Sequence, residues 1–507
     1  IIENLKKENK NWEKKYIEVL EEKTSLEEKI NKLEKAQPKK IQRKIETLLS
    51  KCFTPGQIKL LASPNAKKIH WCSDDIASAI SLRSISPKGY RFLRANNYPL
   101  PGFTTLRDWA KCLNLDQGIL ADIIRLMKSK SVGMTELPRL TVLTFDEIYI
   151  SNKICIDRTM QQKLGSHRSC QTVMARGLVG QWKQPIYYQF DQNMTKNILF
   201  EIIAALYSAG FIVVAISSDM GIDNMGLWSQ LNIGYDKRCS FNHPSDDSLQ
   251  IFVFADAPHL LKLLRNHLVD QGFFFPNGKV VNKTCFEELI SVSQSELTIA
   301  YKISPYHLDL KGTERQKVRP AAQLLSNQVS KAIQWCGQNN ILKNTSWEET
   351  STFTKLVNDW FDLFNSRLKF GVHPGTNAFG TDLENQTLLL DNVTSSIKSM
   401  RVGKHKNFIP FQKGILLNNA ALVQLYKYLH SKYMIEYILT YRLNQDILEN
   451  FFSYIRGMGG SNDHPTPLDI KYRLRWYILG KHSASVFTEN RNVEENTRES
   501  CLIKPMS

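Results

Sequence analysis

Five acidic residues stand in or beside stretches that are otherwise apolar. Asp146 interrupts LTVLTFDEIYI at 140–150, Asp219 follows FIVVAISS at 211–218, Asp256 lies in FVFADAPH, and Asp446 and Glu449 lie in LNQDILENFFSYIR at 443–456. A carboxylate within or at the end of a buried strand is costly unless it is hydrogen-bonded, paired or bound to a cation. Two strand aspartates and a helical glutamate make an all-oxygen ligand set suited to two Mg²⁺ ions spanning a scissile phosphate. One ion would lower the pKa of an attacking water or 3′-hydroxyl, and the other would stabilise the leaving oxygen. Asp146, Asp219 and Glu449 are therefore the catalytic and metal-binding candidates. Other uses of these side chains stay open. Asp256 is a rival second ligand, Asp219 is placed to cap a helix over 222–231, and Glu449 is within reach of Arg442 or Arg456. Strand alternation separates Asp146 from Glu147, so only one of the two faces the site.

The elements that must carry these residues are legible in part. The stretches 140–150 and 211–218 are β-branched and apolar, and the second is continuous enough to be a fully buried strand. In 443–456, Asn444 is placed to cap a helix and Gly457 to stop it, which puts Asp446 and Glu449 on one face at i and i+3.

Upstream the pattern is helical. Leu5, Trp12, Val19, Leu26 and Leu33 recur every seven residues, with Ile2, Asn9, Tyr16, Lys23 and Ile30 three residues ahead of them. That is a coiled coil over 1–36, and polar Asn9 and Lys23 on its seam favour a register-fixed parallel homodimer. Ser73 precedes Asp74 and Asp75 at one helix start, and Ser86 precedes Pro87 at another. After the break at Pro99-Leu-Pro-Gly102, Thr104 is placed to cap a helix with Leu106, Trp109 and Leu113 inward and Arg107 and Lys111 outward. Helix, break and basic helix is the arrangement of a helix-turn-helix unit, so Arg107 and Lys111 are the DNA-binding candidates.

Charge agrees with that placement. The 507 residues carry 66 Lys+Arg against 49 Asp+Glu, net +17; residues 1–36 hold nine Lys and nine Glu, while 37–136 hold 17 basic and seven acidic residues, net +10. More than half of the excess lies in one hundred residues, where it would attract a polyanion by counterion release. No apolar run is long enough to span a bilayer, which gives the expectation of no membrane partner. Nine cysteines, an odd number without a C-x-x-C pair, suit reduced thiols of the cytosol or nucleus.

At FDE (145–147), VVAISSDMG (213–221), FVFADAPHLLKLLRNHLVD (252–270) and LTYRLNQDILENFFSYIR with GGSNDHPTPL (439–468), the sequence resembles the P element transposase family. The stretches run in the family order and cover nearly the whole chain. Members often carry an N-terminal THAP zinc finger, and a chain beginning at Ile1 leads to the expectation that such a finger precedes it. The resemblance implies an α/β chain with an RNase H-like catalytic fold of the DDE type and Mg²⁺ as cofactor, its acids at Asp146, Asp219 and Glu449. Asp256 then falls to a supporting role, and His464 to a structural one. The implied organisation is a coiled coil at 1–36, a basic helix-turn-helix domain at 37–136, and RNase H-like parts at 137–270 and 436–507 around a helical GTP-binding insertion at 271–435.

The resemblance also implies GTP, with contacts at Glu296, Lys302, Lys317, Val318, Ser326, Phe361, Asp362, Asn365 and Asp446. Glu296 stands where the family has aspartate. The chemistry fits: lysines for phosphates, Phe361 as a stacking face, and a carboxylate to accept from guanine N1–H and N2–H. There is no G-x-x-x-x-G-K-[ST] loop, so a bound nucleotide need not be hydrolysed. The expectation is a nuclear DNA transposase that cuts at terminal inverted repeats and joins them to target DNA. The alternative is a catalytically silent, transposase-derived DNA-binding regulator, and the intact acid set favours the enzyme.

Overall fold

The computed structural model describes residues 1–62, 69–71, 73–110, 115–157, 162–293, 299–458 and 463–487. A seven-stranded mixed sheet organises them, in the order Gly118–Ile119, Lys183–Phe190, Ser169–Gly177, Leu140–Tyr149, Ile212–Ser218, Asp246–Ala255 and Ser240–His243. The Leu140–Tyr149 strand is antiparallel to Ser169–Gly177 and parallel to Ile212–Ser218, which is itself parallel to Asp246–Ala255. Val142, Leu143, Phe145 and Val213 through Ile216 are all buried, as the unbroken apolar runs require for strands covered on both faces. Thr144 pairs with Ser217, and Ser218 with Ala255. Continued to the strand ends, that register sets Asp146, Asp219 and Asp256 side by side at the carboxyl end of three parallel neighbours, the end at which open α/β sheets bind ligands.

After Asp256 the chain leaves the sheet. Its helices include Ala257–Gln271, Lys283–Ser293, Asn327–Gln338, Trp347–Phe364, Leu383–Ser399 and Pro410–Tyr433. The segment is not purely helical. The short strands Phe273–Phe274, Val280–Val281 and Arg401–Val402 form a three-stranded sheet within it. The long Pro410–Tyr433 helix returns to the main sheet, where the Asn418 side chain exchanges two hydrogen bonds of 2.8 Å with the backbone of Ala255. A 3₁₀ turn at Thr440–Leu443 then leads into the Asp446–Gly457 helix. Arg442 donates to the carbonyls of Gly177, at 2.7 Å, and Gly180, tying this return to the antiparallel wing of the sheet.

At the other end of the chain, one 48-residue helix, Ile2–Leu49, continues past the expected limit at residue 36. Its seam residues Leu5, Trp12, Val19 and Leu26 are exposed in the single chain. Helices follow at Ser73–Ile85, Pro87–Ala95 and Phe103–Ala110. Ser86 caps the second as expected, its side chain accepting from the Gly89 amide at 3.0 Å. The third begins two residues earlier than the sequence suggests. Leu106 donates to the Gly102 carbonyl at 3.1 Å, so Thr104 lies inside the first turn and is not the cap. Leu106 is buried and Arg107 exposed, while Lys111 and Leu113 lie outside the described residues. The terminal helix Pro467–Phe487 packs against Ser73–Ile85, with the Arg83 guanidinium 4.2 Å above the Trp476 ring.

Candidate active site

Asp146 and Asp219 reach the site from adjacent parallel strands. Burial pushes the Asp146 carboxyl up to about 7, and the nearby charges of Asp219 and Glu449 add to the rise against the Glu147 amide, which donates to it at 2.8 Å. Glu147 is also raised, mainly by burial, with a hydrogen bond to Ser169 opposing the rise and the charges of Asp223, Asp219 and Asp191 adding to it. Asp146 is the member of the pair that feels both Asp219 and Glu449, whereas of these two Glu147 feels Asp219 alone.

The alternative roles separate in the same way. Asp219 Oδ1 accepts from the Gly221 amide at 2.9 Å and from Asn224 Nδ2 at 2.6 Å. The cap of the Ile222–Gln230 helix is Gly221, so Asp219 shapes the turn that precedes it. Glu449 pairs with neither Arg442 nor Arg456. Its partner is Lys262 at 3.7 Å, a lysine whose side chain is only 8% exposed. Asp256 is committed to structure. Its Oδ2 caps the Ala257–Gln271 helix through the His259 amide at 2.9 Å, and its Oδ1 accepts from the Gln445 amide at 2.8 Å. Burial pushes Asp256 up to about 7, with Glu449 and Asp446 contributing.

Gln445 joins these pieces. Its Nε2 donates to the Phe145 carbonyl at 2.7 Å, so a single residue holds the start of the Asp446–Gly457 helix to the strand of Asp146 and to the cap of the Ala257–Gln271 helix. Asn444, the expected cap, does not serve. The helix starts after Gln445, and Asn444 is buried with neither side-chain polar atom hydrogen-bonded among the described residues.

Among the described residues, no three His, Cys, Asp or Glu side chains already converge as a chelating group. The donors nevertheless suit a hard divalent cation. They are all carboxylates, and the rise at Asp146 comes from burial and like charges, both of which a cation would offset.

The nucleotide candidates are spread over the insertion. Lys302 is exposed, with its ammonium 5.5 Å from the Tyr301 ring. Lys317 precedes Val318 at a helix start and is paired to Glu314 at 2.6 Å. Ser326 caps Asn327–Gln338 through the Val329 amide at 3.4 Å. Asn358 then links this cap to Asp362, accepting from the Asn327 amide at 3.0 Å and donating to Asp362 Oδ2 at 2.8 Å. Phe361 is half-buried against the core, and Asn365 Oδ1 is buried without a partner among the described residues. Glu296 lies outside the described residues.

Asp446 is paired with Arg367 at 3.1 Å. Burial raises its pKa, against the pull of Arg367, Arg176 and Lys262. A cleft of about 100 Å³ between Arg176, Arg367, Tyr441, Asp446 and Glu449 places a nucleotide candidate and a metal candidate on one wall. His464 is exposed. Lys262, Gln445, Arg367 and Asn224 were not singled out from sequence. Only Lys262 left a signal there, as a lone cation within HLLKLL.

Three family descriptions match the chain: TNP-like, RNase H N-terminal domain over 115–232; TNP-like, GTP-binding insertion domain over 258–376; and TNP-like, RNase H C-terminal domain over 441–468. The Transposable element P transposase of Drosophila melanogaster is 39% identical over 91% of this chain, which spans 60% of that protein's length. The DNA transposase THAP9 of Homo sapiens is 28% identical over 76% of this chain and 46% of its own length. A chain of the Drosophila P element transposase strand transfer complex superposes with a TM-score of 0.81 at 38% identity, over 87% of this chain and 98% of that one.

Proposed function

This chain belongs to the P element transposase family, and we propose that it is a DNA transposase that cuts DNA at transposon ends and joins the freed 3′-hydroxyl to target DNA. The observation that carries the reading is Asp146, whose carboxyl is pushed up to about 7 by burial together with Asp219 and Glu449. Acids brought to one sheet end against their own repulsion are a site built for cations.

Two Mg²⁺ ions held at Asp146, Asp219 and Glu449 would activate the attacking oxygen and stabilise the leaving one. The chain's part is positioning. Gly221 and Asn224 fix one oxygen of Asp219, Lys262 holds Glu449 in place by charge, and Gln445 fixes the helix of Glu449 against the strand of Asp146. GTP is the second cofactor, bound without hydrolysis by the insertion through Lys302, Lys317, Val318, Ser326, Phe361, Asp362 and Asn365, with Glu296 and Asp446. Arg107 and Lys111 on the basic helical region hold the terminal repeats, the long N-terminal helix pairs two protomers, and the nucleus is where such a substrate is met.

The test is Mg²⁺-dependent cleavage of a cognate end by the parent and by Asp146→Ala, Asp219→Ala and Glu449→Ala. Each variant should lose activity by a factor on the order of 10³, the scale of losing a principal transition-state stabiliser. Cutting at the parental rate by any of the three removes that residue from the site.

A further inference from the structure

Beside the cleft of Asp446 and Glu449, three apolar side chains are left uncovered in a row. Leu368, Phe370 and Val372 are 58%, 67% and 98% exposed, and Arg367, Lys369 and His373 alternate with them. The segment is pinned. Leu368 bridges to Asn377, the Gly371 amide donates to Asn377 Oδ1 at 2.8 Å, and the Ala378 amide donates to the Lys369 carbonyl at 3.1 Å. A pinned loop that turns three apolar side chains to solvent marks a contact surface.

Its surroundings indicate the occupant. Arg367 lines the cleft that holds Glu449; one of its guanidinium nitrogens meets Asp446 at 3.1 Å, and the side chain is 39% exposed, so donors remain for a phosphate. The Lys369 ammonium lies 5.8 Å from the Phe370 ring and 4.9 Å from the Tyr437 ring. Lys369 pairs with Glu436 at 3.2 Å, but that carboxylate is 75% exposed, so the pair is weak and yields to a phosphate. Two cations next to an exposed aromatic face are components by which proteins hold unpaired nucleic acid. In a paired duplex the base faces are hidden. A second copy of this loop would set Arg367 and Lys369 against their own counterparts.

We propose that residues 367–373 form a guide for single-stranded DNA. Phe370 stacks on an unpaired base, Lys369 and Arg367 take successive phosphates on the side toward the cleft, and the strand is led along the cleft toward Glu449. The inference rests on the transposase reading and adds to it a surface for an unpaired strand.

The test measures binding of the full chain to two DNAs of one terminal sequence, one fully paired and one with an unpaired 3′ tail carrying 5-iodouracil. The parent should prefer the tailed DNA, and irradiation should crosslink the tail to the peptide that contains Phe370. Phe370→Ala should bind the tailed DNA more weakly by a factor on the order of 10, the scale of one lost base stack, with duplex binding unchanged. Phe370→Trp should keep the preference and Phe370→Leu should lose it, since a ring face and not apolarity is required. Because Phe370 is exposed, the variants should melt as the parent does. The guide is overturned by equal losses on both DNAs, by no loss, by Leu serving as well as Trp, or by a crosslink elsewhere. A shift in oligomeric state on Phe370→Ala would assign the patch to a second copy instead. A parent that binds neither DNA overturns the transposase reading along with the guide; a parent that binds both regardless of residue 370 overturns the guide alone.

Discussion

The chemistry of single residues is governed here by one conflict, burial of carboxylates beside one another. The Asp146 carboxyl holds its proton up to about pH 7 in the folded chain, whereas its ordinary value is 3.8. The sign follows from linkage. The folded state binds this proton more tightly than the unfolded state, so the contribution to stability is full below the ordinary value and is lost as pH rises toward 7. Asp146→Asn removes the charge that is costly to bury. Without divalent cation at pH 8, its melting temperature should exceed that of the parent, and the difference should vanish below pH 4. Added Mg²⁺ should raise the parent's melting temperature at pH 8 and raise the variant's less. A parent whose melting is unchanged by Mg²⁺ at pH 8 would count against Asp146 as a ligand. Lys262 gives the site another means of compensation, since its buried ammonium already offsets Glu449.

At the scale of elements, the 48-residue N-terminal helix stands out because its seam side chains are uncovered. Amphipathic helices owe most of their stability to packing of the apolar face, and a 3-4 apolar repeat with polar Asn9 and Lys23 suits a two-stranded coil. Leu26→Lys places a charge on that seam. Equilibrium sedimentation should show the parent as a dimer at micromolar concentration and the variant shifted toward monomer, with the sheet-containing part folded in both. A monomeric parent would exclude pairing through this helix. The same helix shows how sequence and structure divide the work. Its heptads are visible as spacing, but its end at Leu49 is not, because Pro38 signals a stop in the sequence and the helix runs past it.

For the molecule as a whole, the insertion is bound to the catalytic sheet rather than appended to it. Asn418 bonds the backbone of Ala255, Ser366 bonds Thr440 at 2.8 Å, and Asp446 meets Arg367 across the cleft. A nucleotide bound between these parts should therefore stabilise the folded chain globally. At a GTP concentration of 100 times its Kd, the added stability should be about 2.7 kcal/mol, visible as a higher melting temperature. ATP should not reproduce it, because a carboxylate accepts two donors from guanine that adenine does not present in that pattern. Equal shifts with both nucleotides, or none with either, would remove the guanine-specific site.

The sequence by itself determined the buried strands, the helix bearing Asp446 and Glu449, the Ser86 cap and the resemblance that ordered the acids. Each of these is written in local spacing or in a motif whose residues stand close together. Residue chemistry without the resemblance did not separate Asp146 from Glu147 or Asp219 from Asp256, and nothing in the sequence named Lys262 instead of Arg442 or Arg456 as the partner of Glu449. Those choices depend on contacts between residues far apart in the chain. The parallel register that aligns Asp146 with Asp219, and the hydrogen bond from Gln445 to Phe145, 300 residues away, were decided only by the tertiary structure. The local helix signal likewise named Asn444 as the cap, and the fold overrode it, because closing the helix start onto Asp256 and Phe145 through Gln445 ties together three elements that a local cap cannot join.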